Sequence, residues 1–127
     1  MILPPAHERA ELVEVVRIGD PVGHLTSRGL SGDVVEVWAG EEVREALALV
    51  AGLPDSPKYR CFLPGWGIRA YEERDPDPLF EIAFCFRCNG ARIWGHDIPE
   101  QLRNQDFDAE SPAGRELLRR FRACVAS

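Results

Sequence analysis

The hydrophobic positions of this chain change period several times, and each change marks an element. From Leu12 to Ile18 valines dominate, with Leu12, Val16 and Ile18 on one side and Val13 and Val15 on the other. Branching at Cβ suits an extended chain, so the run reads as a strand, with a helix begun after Pro5 as its competitor. Asp33 to Ala39 alternates in the same manner, and Gly40 ends it. The period then lengthens: Val43, Ala46, Leu47 and Val50 recur at i, i+3, i+4 and i+7, the stripe of an amphipathic helix over Glu41 to Ala51. Glu41 and Glu42 suit the positive end of that helix, and Gly52 followed by Pro54 stops it.

Residues 59–95 predict a β-meander. Tyr59 to Leu63, Ile68 to Glu72, Leu79 to Arg87 and Ala91 to Trp94 are strand-like. Pro64-Gly65-Trp66-Gly67, Arg74-Asp75-Pro76-Asp77-Pro78 and Cys88-Asn89-Gly90 form the turns between them. In the third run Phe80, Ile82, Phe84 and Phe86 share a face, and Glu81, Ala83, Cys85 and Arg87 share the other, so the phenylalanines should point to the core. A second helix is expected over residues 111–126. Ser111 can cap it, Pro112 suits its first position, and Leu117, Leu118, Phe121 and Val125 make its apolar stripe. The sum is an α+β fold: an antiparallel sheet of about five or six strands with two main helices packed on one face.

Two segments fall outside this pattern. Residues 1–10 hold two prolines and no clear period, and read as a loose N-terminal arm on a single domain spanning 1–127. Gly19 to Gly32 carries four glycines and a proline and reads as a long loop, a kind of segment that often serves as a lid.

Composition narrows the function classes. Apolar residues make up 45% and charged residues 28%, ordinary for a globular chain. Acidic residues outnumber basic ones by 21 to 15, a net charge of −6, which opposes non-specific binding to nucleic acid. Arg115, Arg119 and Arg122 share a face of the last helix, and are read as a solvated surface in preference to a phosphate contact. The start lacks a basic segment followed by an apolar one, and the longest apolar stretch, Ala46 to Leu53, is too short for a bilayer. No signal peptide or membrane contact is therefore expected, and the compartment is read as cytoplasmic.

Candidate chemistry centres on Cys85-Phe86-Arg87-Cys88-Asn89-Gly90. Two thiolates at this spacing across a hairpin turn can hold one metal, with the glycine easing the turn. Cys61-Phe62-Leu63-Pro64-Gly65 has the same frame with a proline in place of the second cysteine. Cys61, Cys85 and Cys88 could thus supply three ligands for structural zinc, with His96 the best fourth by distance along the chain, ahead of His24 and Cys124. The competing readings are buried core cysteines and, third, a redox pair. Without a secretory signal, free thiols or metal ligands are expected over disulfides. His96 and Asp97 are not expected to pair, because neighbours on an extended chain point opposite ways. His7 and His24 read as exposed spectators. Trp38 and Trp94 read as core or edge anchors, and Trp66 is the tryptophan expected in the open.

From Cys61 to Phe121 the chain resembles a loose group of small uncharacterised bacterial proteins with a Cys-Phe-x-Cys hairpin. The shared features are Cys61 with Pro64, the Ile68-Arg69-Ala70-Tyr71 strand, Leu79-x-Glu81 leading into Cys85-Phe86-x-Cys88, and Phe107 and Ser111 ahead of Leu117-Leu118. The resemblance implies no activity. The sequence thus leaves three expectations of different kinds. The first is a small non-catalytic protein-interaction module, immunity- or regulator-like, whose partner is another protein. The second is a zinc-binding protein using Cys61, Cys85 and Cys88. The third is an enzyme or small-molecule binder with the 19–32 loop as its lid.

Overall fold

The computed structural model describes residues 1–26, 28–57 and 62–125. Its frame is one six-stranded sheet, every neighbouring pair antiparallel, in the order β2-β1-β3-β4-β5-β6. The strands are β1 (Leu12–Arg17), β2 (Asp33–Ala39), β3 (Trp66–Tyr71), β4 (Phe80–Cys85), β5 (Gly90–Gly95) and β6 (Asn104–Asp106). Three α-helices follow β2, β5 and β6 respectively: α1 (Glu41–Ala51), α2 (Glu100–Arg103) and α3 (Pro112–Ala123). Of the meander expected over residues 59–95, β3, β4 and β5 are present; β6 adds a strand beyond it, and β1 lies between β3 and the edge strand β2.

One face of the sheet carries the main core. Val13, Val15, Ile68, Phe80, Ile82, Phe84 and Ile93 meet Val43, Ala46, Leu47 and Val50 of α1 and Leu117 and Phe121 of α3. The phenylalanine face is therefore the core face, as the alternation predicts, and both long helices cover it. Ser111 caps α3 by accepting the Gly114 amide at 3.0 Å. Arg120 of α3 reaches Glu45 of α1 at 3.0 Å and ties the two helices across the surface. Val125, expected on the α3 stripe, is instead exposed past the helix end.

The opposite face carries a second, smaller core that single-strand periodicity did not predict. Val16, Ile18, Ala83, Cys85 and Cys88 are buried there beneath Leu30 and Phe62. The cover comes from Leu30 of the 19–32 segment and from Phe62. Arg69 of β3 holds Leu30 by donating to its carbonyl at 3.0 Å while pairing with Glu81 at 2.9 Å.

Two expectations are corrected, and a third lies mostly outside the described residues. The N-terminal arm is pinned: Leu3 is buried in the main core, Pro5–Arg9 forms a 3₁₀ turn, and Ile2 exchanges two hydrogen bonds with the Gln105 side chain, at 2.8 and 2.7 Å. Trp66 is not in an exposed turn. The ladder with β1 pairs it with Arg17, so β3 starts two residues early and the indole is buried on Phe121 at 5.5 Å between ring centroids. The expected strand Tyr59–Leu63 falls mostly outside the described residues, and Phe62 and Leu63 are not in a strand.

Candidate functional site

Strands β1 and β4 run in the same direction with β3 between them, so both end at the edge where β3 begins. Each run finishes on an arginine: Arg17 closes β1, and Arg87 lies two residues beyond β4. Helix α3 passes the same edge with Leu118 and Arg122 one turn apart. These residues surround an open pocket of about 460 Å³. Its apolar lining comes from Ile18, Leu63, Trp66, Phe86 and Leu118, and Gly19, Pro21 and Val22 form the remaining rim. Backbone bonds fix this edge beyond the strands, from the Ile18 amide to the Gly65 carbonyl at 3.0 Å and from the Gly65 amide to the Phe84 carbonyl at 3.3 Å.

The electrostatics of the pocket oppose those of the whole chain. The Arg17 guanidinium lies 5.2 Å from the Trp66 ring centroid, a cation–π contact. Among the described residues no carboxylate forms an ion pair with Arg17, Arg87 or Arg122. No acidic side chain lines the pocket. At the other end of the sheet Glu11, Glu14, Glu72, Glu73 and Asp75, interrupted by Arg74, line a separate acidic concavity. Charge is thus segregated along the strand axis.

This arrangement divides the arginine face of α3. Arg115 pairs with Glu110 at 3.1 Å and Arg119 with Glu116 at 2.6 Å. Hydrogen bonds from Arg119 and then Arg120 hold the Glu116 carboxyl down to about 2. Arg115 and Arg119 are therefore neutralised within the helix surface, and Arg122 faces the pocket.

Of the proposed zinc ligands that are described, Cys85 and Cys88 share the second core and His96 lies away from them. Cys85 is a free thiol in the second core, and Cys88 is buried at the β4–β5 turn and disulfide-bonded. The expectation of a free thiol or metal ligand over a disulfide fails at Cys88. Metal ligation needs a thiolate, which a disulfide sulfur does not offer. His96 follows β5 at its far end, roughly 20 Å of strand from the cysteine turn at ~3.3 Å per residue, and its side chain is 95% exposed. Cys61 lies outside the described residues. Cys124 is a free thiol at the end of α3, donating to the Arg120 carbonyl. Among the described residues no three His, Cys, Asp or Glu side chains are grouped to hold a metal.

His96 does approach Asp97, at 3.5 Å. Asp97 has φ 58°, so the chain is turning there and the opposite-sides rule for extended neighbours does not apply. Both side chains are almost fully in solvent, where such a pair contributes little.

His24 is the other departure, being only 2% exposed. One ring nitrogen, Nε2, accepts the Ser31 amide at 2.9 Å, the ring leans on Trp94 at 5.8 Å, and Nδ1 has no partner among the described residues. Burial lowers its proton affinity. The Ser31 carbonyl opposes that shift, Arg92 adds to it, and Glu81 and Asp20 oppose it. Folding thus excludes a proton that the unfolded chain binds. The resulting stabilisation is complete above the ordinary imidazole value near ~6.5 and is lost as pH falls below it. Urea melts are expected to show wild type losing more stability than His24→Asn between neutral pH and mildly acid pH. Parallel losses in the two proteins would show that His24 does not titrate with folding.

Sequence reasoning missed Arg17, Arg87 and Phe86 as members of one site. The available signal was that two strands of like direction both finish on arginine. Comparison with known proteins adds nothing to the geometry: no protein-family model, no curated protein and no solved structure matches this chain. No helix among the described residues is long and apolar enough to cross a membrane.

Proposed function

We propose that this protein is a small-molecule binder whose ligand occupies the pocket at the arginine-bearing edge of the sheet. The observation that carries this reading is the 460 Å³ concavity with an apolar floor and charged rim, a size and composition typical of ligand sites. Its described lining holds no Ser, Thr, Cys, His, Tyr, Asp or Glu. That favours binding over catalysis, because nucleophiles and general acids or bases come from those types. The start of the 19–32 loop rims the pocket through Gly19, Pro21 and Val22. Farther along that loop, Leu30 is held to β3 by Arg69 and His24 packs on Trp94 of β5. The loop therefore serves as a wall more than a lid. A protein-interaction reading draws on the acidity and on the free edge of β2, where Val34 and Val37 are exposed. It has no concave, specifically lined feature of equal weight.

The test is a panel of small apolar acids, amides and amines followed by Trp fluorescence and thermal melting. A ligand that binds only the folded state raises the melting temperature in a saturable way. Binding is expected in wild type and lost in Gly65→Leu. That change adds a side chain to the pocket lining where a Cβ meets nothing within 4 Å, so the fold should be retained. A panel in which no compound of any charge binds more tightly than about 10 mM, a free energy too small for a working site, would remove the small-molecule reading.

A further inference from the structure

We infer that the ligand is an organic acid: a carboxylate held among Arg17, Arg87 and Arg122, with a compact apolar body lying on Phe86 and Leu118. This rests on the small-molecule reading above and names its chemical class. Three always-charged guanidinium groups border one concavity, and among the described residues none forms an ion pair with a carboxylate. Elsewhere the acidic surface supplies partners, as for Arg69, Arg115, Arg119 and Arg120. A chain with 21 acids and 15 bases that keeps acids out of one pocket leaves it the place where an anion is attracted. The acidic far end of the sheet strengthens that preference by orienting the field along the strands.

The floor decides what kind of anion. Arginine forks match carboxylate and phosphate equally well. Inorganic phosphate or sulfate, however, would leave the half-buried Phe86 and Leu118 facing water. An apolar body removes that surface from solvent and contributes roughly 25 cal/mol per Å² of apolar area covered. A ring can lie on the half-buried Phe86 and Leu118, beside the Trp66 indole that Arg17 covers and Phe121 braces. A cation meets three like charges and is disfavoured. Long anionic polymers fit poorly, because the acidic surface outside the pocket repels the rest of their charge.

The experiment is titration calorimetry of the full chain with phenylacetate, octanoate, phenylacetamide and inorganic phosphate at low and moderate salt. The two acids are expected to bind at least tenfold more tightly than the amide and than phosphate, and to weaken as salt rises. Arg87→Gln and Arg122→Gln should each weaken phenylacetate about tenfold with little change in melting temperature. Arg115→Gln, which alters the arginine paired with Glu110, should leave binding unchanged. Phenylacetamide binding as tightly as phenylacetate would overturn the organic-acid inference and leave the small-molecule pocket standing. Phosphate binding as tightly as the acids would overturn it in favour of a bare oxyanion site. Failure of all four ligands, together with the full panel above, would remove both readings.

Discussion

Replacing Phe121 with alanine is expected to lower the stability of this protein by roughly 3–5 kcal/mol, the range for deleting a buried phenylalanine ring. The residue is fully buried in α3. Its ring lies 5.9 Å from Trp38, 5.5 Å from Trp66, 5.7 Å from Phe84 and 6.1 Å from Phe86, centroid to centroid. Those four aromatics come from β2, from β3, from β4 and from just beyond it. The vacated space therefore borders several elements that would have to move together to fill it. Such a loss is a large part of the ~5–15 kcal/mol that holds a domain folded. Phe121→Leu, which keeps most of the volume, should cost clearly less. Denaturant melts of both variants measure this, and a loss below about 1 kcal/mol for the alanine variant would mean that α3 is not integral to the core. Because Trp66 forms both the ring stack and the pocket floor, Phe121→Ala should also weaken ligand binding in whatever fraction stays folded.

Gly114→Ala is expected to destabilise by about 1–3 kcal/mol, the usual cost of forcing extra volume into a packed site. Helix propensity alone forecasts a gain of ~1 kcal/mol for this change in the first turn of α3. The space around the residue reverses the sign. A Cβ on Gly114 would sit 2.7 Å from both the Asp108 and Ala109 carbonyl oxygens, and that backbone cannot easily retreat. Asp108 donates its amide to Pro54 at 2.8 Å, Ala109 donates to the Asn89 side chain at 3.2 Å, and Phe107 donates to the Asn89 carbonyl at 3.0 Å. The Asp108 carbonyl also accepts the Ser111 hydroxyl at 2.7 Å. Thermal melts compare the variant with wild type, and an unchanged or raised melting temperature would show that the 107–111 segment yields.

These two substitutions mark where sequence reading works and where it stops. Elements dictated by neighbours a few residues apart were legible: the α1 stripe, the Ser111 cap with Pro112 behind it, the valine strand, and the phenylalanine face of β4. Each depends on local backbone geometry and on which side of one element is apolar, and both repeat along the chain with a fixed period.

The second core was not legible, because Ala83 and Cys85 stand on the nominally outer face of β4 and are buried where Leu30 and Phe62, both distant along the chain, pack on that face. His24 reads as a loop histidine until the tertiary fold removes it from water. Asn89 reads as a turn residue, and its φ of 51° agrees, yet its side chain also holds Ser56 and Ala109 across long stretches of chain.

The pocket depends most fully on tertiary structure. Arg17, Arg87 and Arg122 are separated by 70 and 35 positions along the chain and meet only because two strands of like direction and the last helix finish at one edge of the sheet. Periodicity records which face of an element is apolar and carries no record of which strand ends become neighbours. The sequence by itself determined the class of fold and the identity of the core helices. Sheet order and the return of the 19–32 segment decided where the charged rim meets the apolar floor, because long-range pairing is chosen by the sum of many weak contacts and not by any local signal.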